Sequence, residues 1–258
     1  MKKNSGLLIA AFISISLFLS MIPSATAADQ PLVVVEVFKE DKIHLDIGDT
    51  THVTRTLTIQ NVIDKPLVPG FITLVLQKQS PQKIGPVTIP FTNTVTPVRV
   101  SNVKARLADG TNVTDIRVVE GENATTIQYG AWVPIEPKGT VTVILEYDSP
   151  DIVEKGLLFN TVQYPFSSSS IPVEKATVEA KINGGQVTYS SEKPLRSADV
   201  YIWEKPGLGM DSWNVALEYS LLPLPLLPFN GSLLFWGLLL LLCLAWVAWT
   251  FMRPPKRP

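Results

Sequence analysis

The chain of 258 residues has one cysteine, Cys243, and two histidines, His44 and His52. With Cys243 inside a hydrophobic run near the C-terminus, everything before that run lacks disulfides and thiol chemistry. An extracytoplasmic domain built that way must be held by its own core. So few histidines leave little for metal or acid–base chemistry. GxSxG, HExxH, P-loop and GxGxxG patterns are all missing. Ser190-Ser191-Glu192-Lys193 has the Ser-x-x-Lys spacing, but it ends a predicted strand and Pro194 follows, whereas the enzymes that use it need a helix there. No enzyme and no cofactor are expected. Outside the two hydrophobic ends, no window carries a 3.6-residue apolar period.

What is present is segregated. Lys2 and Lys3 precede an apolar run from Leu7 to Met21, followed by Ala25-Thr26-Ala27. A basic, then apolar, then small-x-small order reads as a secretory leader over 1–27. At the other end, Leu233 to Met252 is 20 residues without a charge. At about 1.5 Å per residue this makes about 30 Å of helix, the depth of a bilayer's hydrocarbon core. Trp236 lies near one end and Trp246 and Trp249 near the other, with Arg253, Lys256 and Arg257 beyond. Interfacial rings and a basic cytoplasmic flank mark a single membrane span with its tail, 253–258, inside.

Formal net charge is -1, but the leader holds two of the 22 basic residues and the tail three. The remaining 17 face 23 acidic ones, a net of -6. A mildly acidic exterior argues against nucleic acid or anionic headgroups as its main partner.

Between the ends, short runs rich in Val, Ile, Thr and Tyr alternate with turn residues. LVVVEVF, THVTRTLTIQ, FITLVLQ, VRVSNVKARL, TTIQYGAW and TVTVILEY have a period near two and are separated by IGDT, DKPLVPG, ADGTN, EGEN and EPKG. The pattern predicts half-buried strands in an antiparallel, immunoglobulin-like β-sandwich, giving an all-β ectodomain with one C-terminal transmembrane helix. YPFSSSSIP interrupts it. The expected layout is a main domain over 28–150, a smaller β-unit over 151–220 and a Pro-rich stem over 221–232. One continuous sandwich is the alternative.

Several residues are weighed as sites. In KIHLDIGDTTH, His44 and Asp46 share a strand face, and a hairpin at Gly48 would bring His52 beside Asp46. No spacing there matches a metal motif, so this group, with Asp49, reads as solvated polar residues at a hairpin end. Asn112 and Asn123, in N-x-T sequons beside turns, are the candidate glycan acceptors. A third sequon, Asn230-Gly231-Ser232, sits too near the membrane. Tyr129, Trp132, Tyr201, Trp203 and Trp213 read first as core residues and second as a binding face, with Trp203 and Trp213 the partner-binding candidates. In LLPLPLLPF, three prolines forbid helix, and Leu224 and Leu226 would be a liability in water unless they meet lipid or a partner.

The stretch TTIQYGAWVPIEPKGTVTVILEYDSPDIVEKGLLFNTVQYPF, from Thr125 to Phe166, carries a strand, a Pro-bounded turn with Gly, a long strand and an aromatic-Pro segment. With a leader, β-domains and one C-terminal span, it resembles the ribophorin I family, accessory subunits of the oligosaccharyltransferase complex. The resemblance implies a non-catalytic helper in a membrane complex and carries no functional residue with it. Membrane lipid and an envelope or membrane protein are therefore the expected partners.

Overall fold

The computed structural model describes residues 34–84, 87–166, 169–197 and 199–252. The expected leader over 1–27 and the basic tail over 253–258 lie outside them.

Strand β2 (Thr51–Asn61) shows how the sequence builds the sheet. Val53, Leu57 and Ile59 are buried, while His52, Thr54, Thr56 and Thr58 face outward, a strict alternation. Its hairpin partner β1 (Glu36–Ile47) needs a correction of phase. A bulge between Phe38 and Glu40 inserts an extra residue, so that Phe38, Asp41, Ile43, Leu45 and Ile47 all face inward.

These two strands form the middle of an eight-stranded sheet. Its order is β14 (Leu195–Ser197), β15 (Val200–Gly209), β12 (Val173–Ile182), β1, β2, β9 (Thr140–Ser149), β5 (Ser101–Leu107) and β6 (Asn112–Val113). A second sheet runs β10 (Val153–Glu154), β11 (Asn160–Phe166), β16 (Trp213–Ser220), β13 (Gln186–Ser190). The third runs β4 (Val87–Pro97), β3 (Gly70–Ile84), β8 (Thr125–Ala131), β7 (Ile116–Glu120). One helix, α1 (Gly231–Met252), follows.

The predicted strands are present, but the antiparallel expectation fails at one ladder. β1 and β12 run parallel, with Ile43 opposite Val178 and Ile47 opposite Ile182. A period of two reports which side chains are buried and is silent on strand direction, and parallel neighbours need a long crossover. Here the whole segment between Gly48 and Pro172 supplies it. Strands from both sides of residue 150 therefore share the large sheet, and residues of all three sheets meet in a single buried apolar cluster.

One charged residue stands on the inward face of β2. Arg55 is buried and donates from Nε to Asp41 Oδ1 at 2.9 Å and from Nη2 to Asp41 Oδ2 at 2.6 Å. Burial is the largest influence on this guanidinium and opposes its charge. Asp41 and the surrounding tyrosines reverse that, and its pKa stays well above the ordinary arginine value. Tyr129, Tyr147 and Tyr164 are buried in the same layer, with the Tyr147 and Tyr164 hydroxyls 3.3 Å apart. Burial, first of all, drives the Tyr164 phenol up to about 12 and raises the other two.

Candidate functional site

The residues singled out in the sequence separate into surface and core. Asn112 lies exposed on β6, and Asn123 lies exposed in the turn that Gly121 N–H closes onto the Ala124 carbonyl at 2.9 Å. Trp203 and Trp213 keep only 2% and 5% of their surface, so they are corrected as partner-binding residues: they fill the core. Their indole N–H groups explain why two such large rings can be buried there. Trp203 Nε1 donates to Ser190 Oγ and the Glu192 carbonyl, each at 3.0 Å, and Trp213 Nε1 donates to Glu192 Oε1 at 3.0 Å. Tyr129 and Tyr201 are also buried. Trp132 alone of the weighed aromatics is exposed, seated over Gly130, edge-on to Phe71, and donating from Nε1 to Asp115 Oδ2 at 3.2 Å. Leu224 is half-buried and Leu226 exposed.

Asp46 and His52 are register partners across the hairpin, as the turn at Gly48 predicts. Each side chain turns to another strand. His52 Nδ1 lies 2.7 Å from Asp148 Oδ1, His44 Nδ1 lies 3.3 Å from Glu179 Oε2, and Asp46 Oδ1 accepts from Asn183 at 2.8 Å. Among the described residues no three His, Cys, Asp or Glu side chains gather as metal ligands.

The most specific polar arrangement is at the start of α1. This helix is long and apolar enough to cross a membrane and is exposed along nearly all its length. The first backbone N–H groups of a helix have no intrahelical acceptor, and leaving them unpaired beside hydrocarbon is costly. Those of residues 231, 232 and 233 are satisfied here. Gly231 N–H donates to Glu218 Oε1 at 2.9 Å and Ser232 N–H to Glu218 Oε2 at 3.1 Å. Leu233 N–H donates to Asn230 Oδ1 at 3.0 Å, an Asn N-cap. Leu234 N–H then begins the helical ladder on the Asn230 carbonyl at 3.2 Å.

Glu218 itself is completely buried, and Thr188 Oγ1 donates to its Oε1 at 3.3 Å. A negative group at this helix end also meets the positive pole of the backbone dipole. The fit admits no side chain at residue 231: a Cβ there would lie 2.9 Å from Glu218 Oε1 and from two Phe159 ring carbons.

The Pro-rich stem reinforces the joint. Leu227 N–H donates to the Thr188 carbonyl at 2.6 Å, and Ser220 Oγ donates to the Leu158 carbonyl at 2.9 Å. The last strand, the stem and the helix are thus bonded into one unit. Sequence reading missed Glu218. In β16, Trp213, Val215, Leu217 and Tyr219 form the inward row, which leaves Glu218 on the face that alternation assigns to water. The stem and α1 fold over that face.

No protein-family model matches the chain. The protein MJ1395 of Methanocaldococcus jannaschii, described as uncharacterized, is 30% identical over 144 residues, covering 55% of this chain and 99% of that one. Two solved structures show weaker likeness. A candidate nutrient binding protein from Legionella pneumophila has a TM-score of 0.43 at 12% identity, over 72% of this chain and 67% of that one. An M1 zinc metallopeptidase from Deinococcus radiodurans has a TM-score of 0.38 at 13% identity, over 72% and 42%. Likeness at TM-scores this low carries no chemistry across.

Proposed function

This chain belongs to one family with MJ1395 of Methanocaldococcus jannaschii, and for it we propose a membrane-anchored, non-enzymatic role. The β-rich ectodomain stands outside the cell membrane, the short basic tail lies in the cytoplasm, and the ectodomain binds or positions envelope components. The observation that carries this reading is the joint. Glu218 and Asn230 bond the first three N–H groups of α1, so the span and the last strand move together. A swivelling tether needs no such bonds, whereas a domain that must present one face at a set attitude to the membrane does. Asn112 and Asn123 are glycan acceptors on that exterior.

The test is cross-linking in intact cells followed by capture of the full chain. Envelope polymers or surface proteins joined through the sheets support the role. A stoichiometric integral-membrane protein joined only through the stem and α1 replaces it with a second reading, an accessory subunit of a membrane complex. The exposure of Leu221, Leu222, Leu226 and Phe229 in the stem favours that alternative, and the ribophorin I resemblance implies the same.

A further inference from the structure

We propose that the membrane-proximal end of the ectodomain holds a phospholipid headgroup, between Lys181, Arg196 and the start of the stem. A cavity of about 410 Å³ opens there. One side is basic and polar, with Lys181 from β12, Arg196 from β14, Gln186 and Asn183. The other is formed by Leu221, Leu222 and Pro223. Leu221 and Leu222 are 68% and 49% exposed, a penalty in water that is relieved at the boundary between headgroups and acyl chains.

The place of this cavity in the fold selects the ligand. Leu221 follows Glu218 by three residues, and Glu218 holds the first N–H of α1. At about 3.3 Å per residue the leucine wall lies on the order of 10 Å from the point where the helix begins. The cavity therefore lies within reach of the headgroup layer where α1 enters the bilayer. Arg196 lies over the Tyr201 ring, its Cζ 5.4 Å from the ring centre, which holds the guanidinium toward the cavity side of β15. Asp199 lines the cavity too, so the charge balance of these three side chains is one positive. An acidic ectodomain thus keeps a small cationic site where phosphate groups are found. A cation pair above a leucine wall matches a ligand with a phosphate and an attached aliphatic chain, and it matches neither alone.

The inference rests on α1 spanning the membrane as proposed above, so insertion is measured separately, by flotation with liposomes. The test uses the full chain, released in mild detergent from vesicles of equal phosphatidylglycerol and phosphatidylcholine, with retained lipid counted by native mass spectrometry. The expected result is one retained phospholipid, with phosphatidylglycerol favoured about fivefold, the size of effect that two juxtamembrane cations produce when one nearby acid opposes them. Lys181→Gln with Arg196→Gln should abolish the preference while flotation is unchanged. Leu221→Asp with Leu222→Asp should lose the lipid. Equal retention by the wild type and the Gln pair would overturn the proposal. So would displacement of the lipid by millimolar inorganic phosphate, which would mark a free-anion site. Loss of flotation in the wild-type chain would instead overturn the membrane anchoring itself.

Discussion

Among the described residues two carboxyl groups are buried, and they meet opposite partners. Asp41 lies in the core, 2% exposed, bonded twice by the guanidinium of Arg55. Glu218 lies at the membrane-facing joint, fully buried, bonded by two backbone N–H groups and one hydroxyl. The first is an ion pair that joins neighbouring strands within one sheet. The second is a charge placed on a helix terminus, and it joins the β-rich domain to the apolar helix. Disturbing the first should therefore unfold the domain, whereas disturbing the second should loosen the domain from its anchor.

The largest effect is expected at the ion pair. Arg55→Ala strands Asp41 without a counter-charge and should destabilise the ectodomain by about 3–5 kcal/mol in denaturant unfolding. Replacing both partners, with Asp41→Leu and Arg55→Met, should recover most of that loss, because no buried charge is left. A double variant as unstable as the single one would show that the pair does more than neutralise itself.

Glu218→Ala comes next. It leaves two N–H groups short of acceptors, at about 1–3 kcal/mol, while the Thr188 hydroxyl keeps the residue 218 carbonyl at 3.2 Å. The diagnostic readout is geometry: spin labels on β2 and on α1 should show a broadened distance distribution while the ectodomain still unfolds cooperatively. Gly231→Ala should act in the same direction, since its Cβ would collide with Glu218 and Phe159. An unchanged distance distribution in both variants would remove the joint as the element that sets the domain's attitude.

The tyrosine layer distinguishes the core from the joint by pH. Tyr164 is pushed up to about 12 in the folded protein, and Tyr129 and Tyr147 are raised as well. A phenol that ionises more easily when unfolded favours folding fully below the unfolded value near 10, and that contribution is lost as pH rises toward 12. Tyrosinate absorbance at alkaline pH should therefore appear in step with loss of the near-ultraviolet circular dichroism of the core. Early, gradual titration of all six tyrosines would contradict the burial of this layer.

The smallest effect belongs to the surface. Asn102 first, then His52, bonds Asp148 and holds its carboxyl below the usual range. A depressed carboxyl adds stability above its unfolded value near 3.9, and that addition fades as pH falls through the folded one. Asp148 is a half-buried surface residue whose partners are themselves exposed to solvent, so Asp148→Asn should change stability at neutral pH by no more than about 0.5 kcal/mol.

Much of the architecture was legible in advance, for a physical reason. Strand burial alternates residue by residue, so β2 and β9 could be read from short windows. The charge-free run from Leu233 needs only length and hydropathy. Arg55, the one charge in the row Val53, Leu57 and Ile59, drew no notice in the sequence, because its partner Asp41 lies on another strand. Trp203 and Trp213 illustrate the limit. An aromatic at a strand position is equally compatible with a core and with an exposed face, and it is Ser190 at the end of β13 and Glu192 just beyond it that make burial of both indoles acceptable.

The sequence by itself determined the strands, the charge-free helix and the absence of disulfides from everything before Cys243, because each depends on neighbours along the chain. The tertiary structure decided the parallel ladder between β1 and β12, the pairing of Arg55 with Asp41, and the burial of Glu218 at the helix start. Each of these depends on groups brought together from separate elements. Alternation puts Glu218 on a solvent face, and only the return of the stem and α1 over that face makes it the acceptor that ties the β-rich domain to the apolar helix.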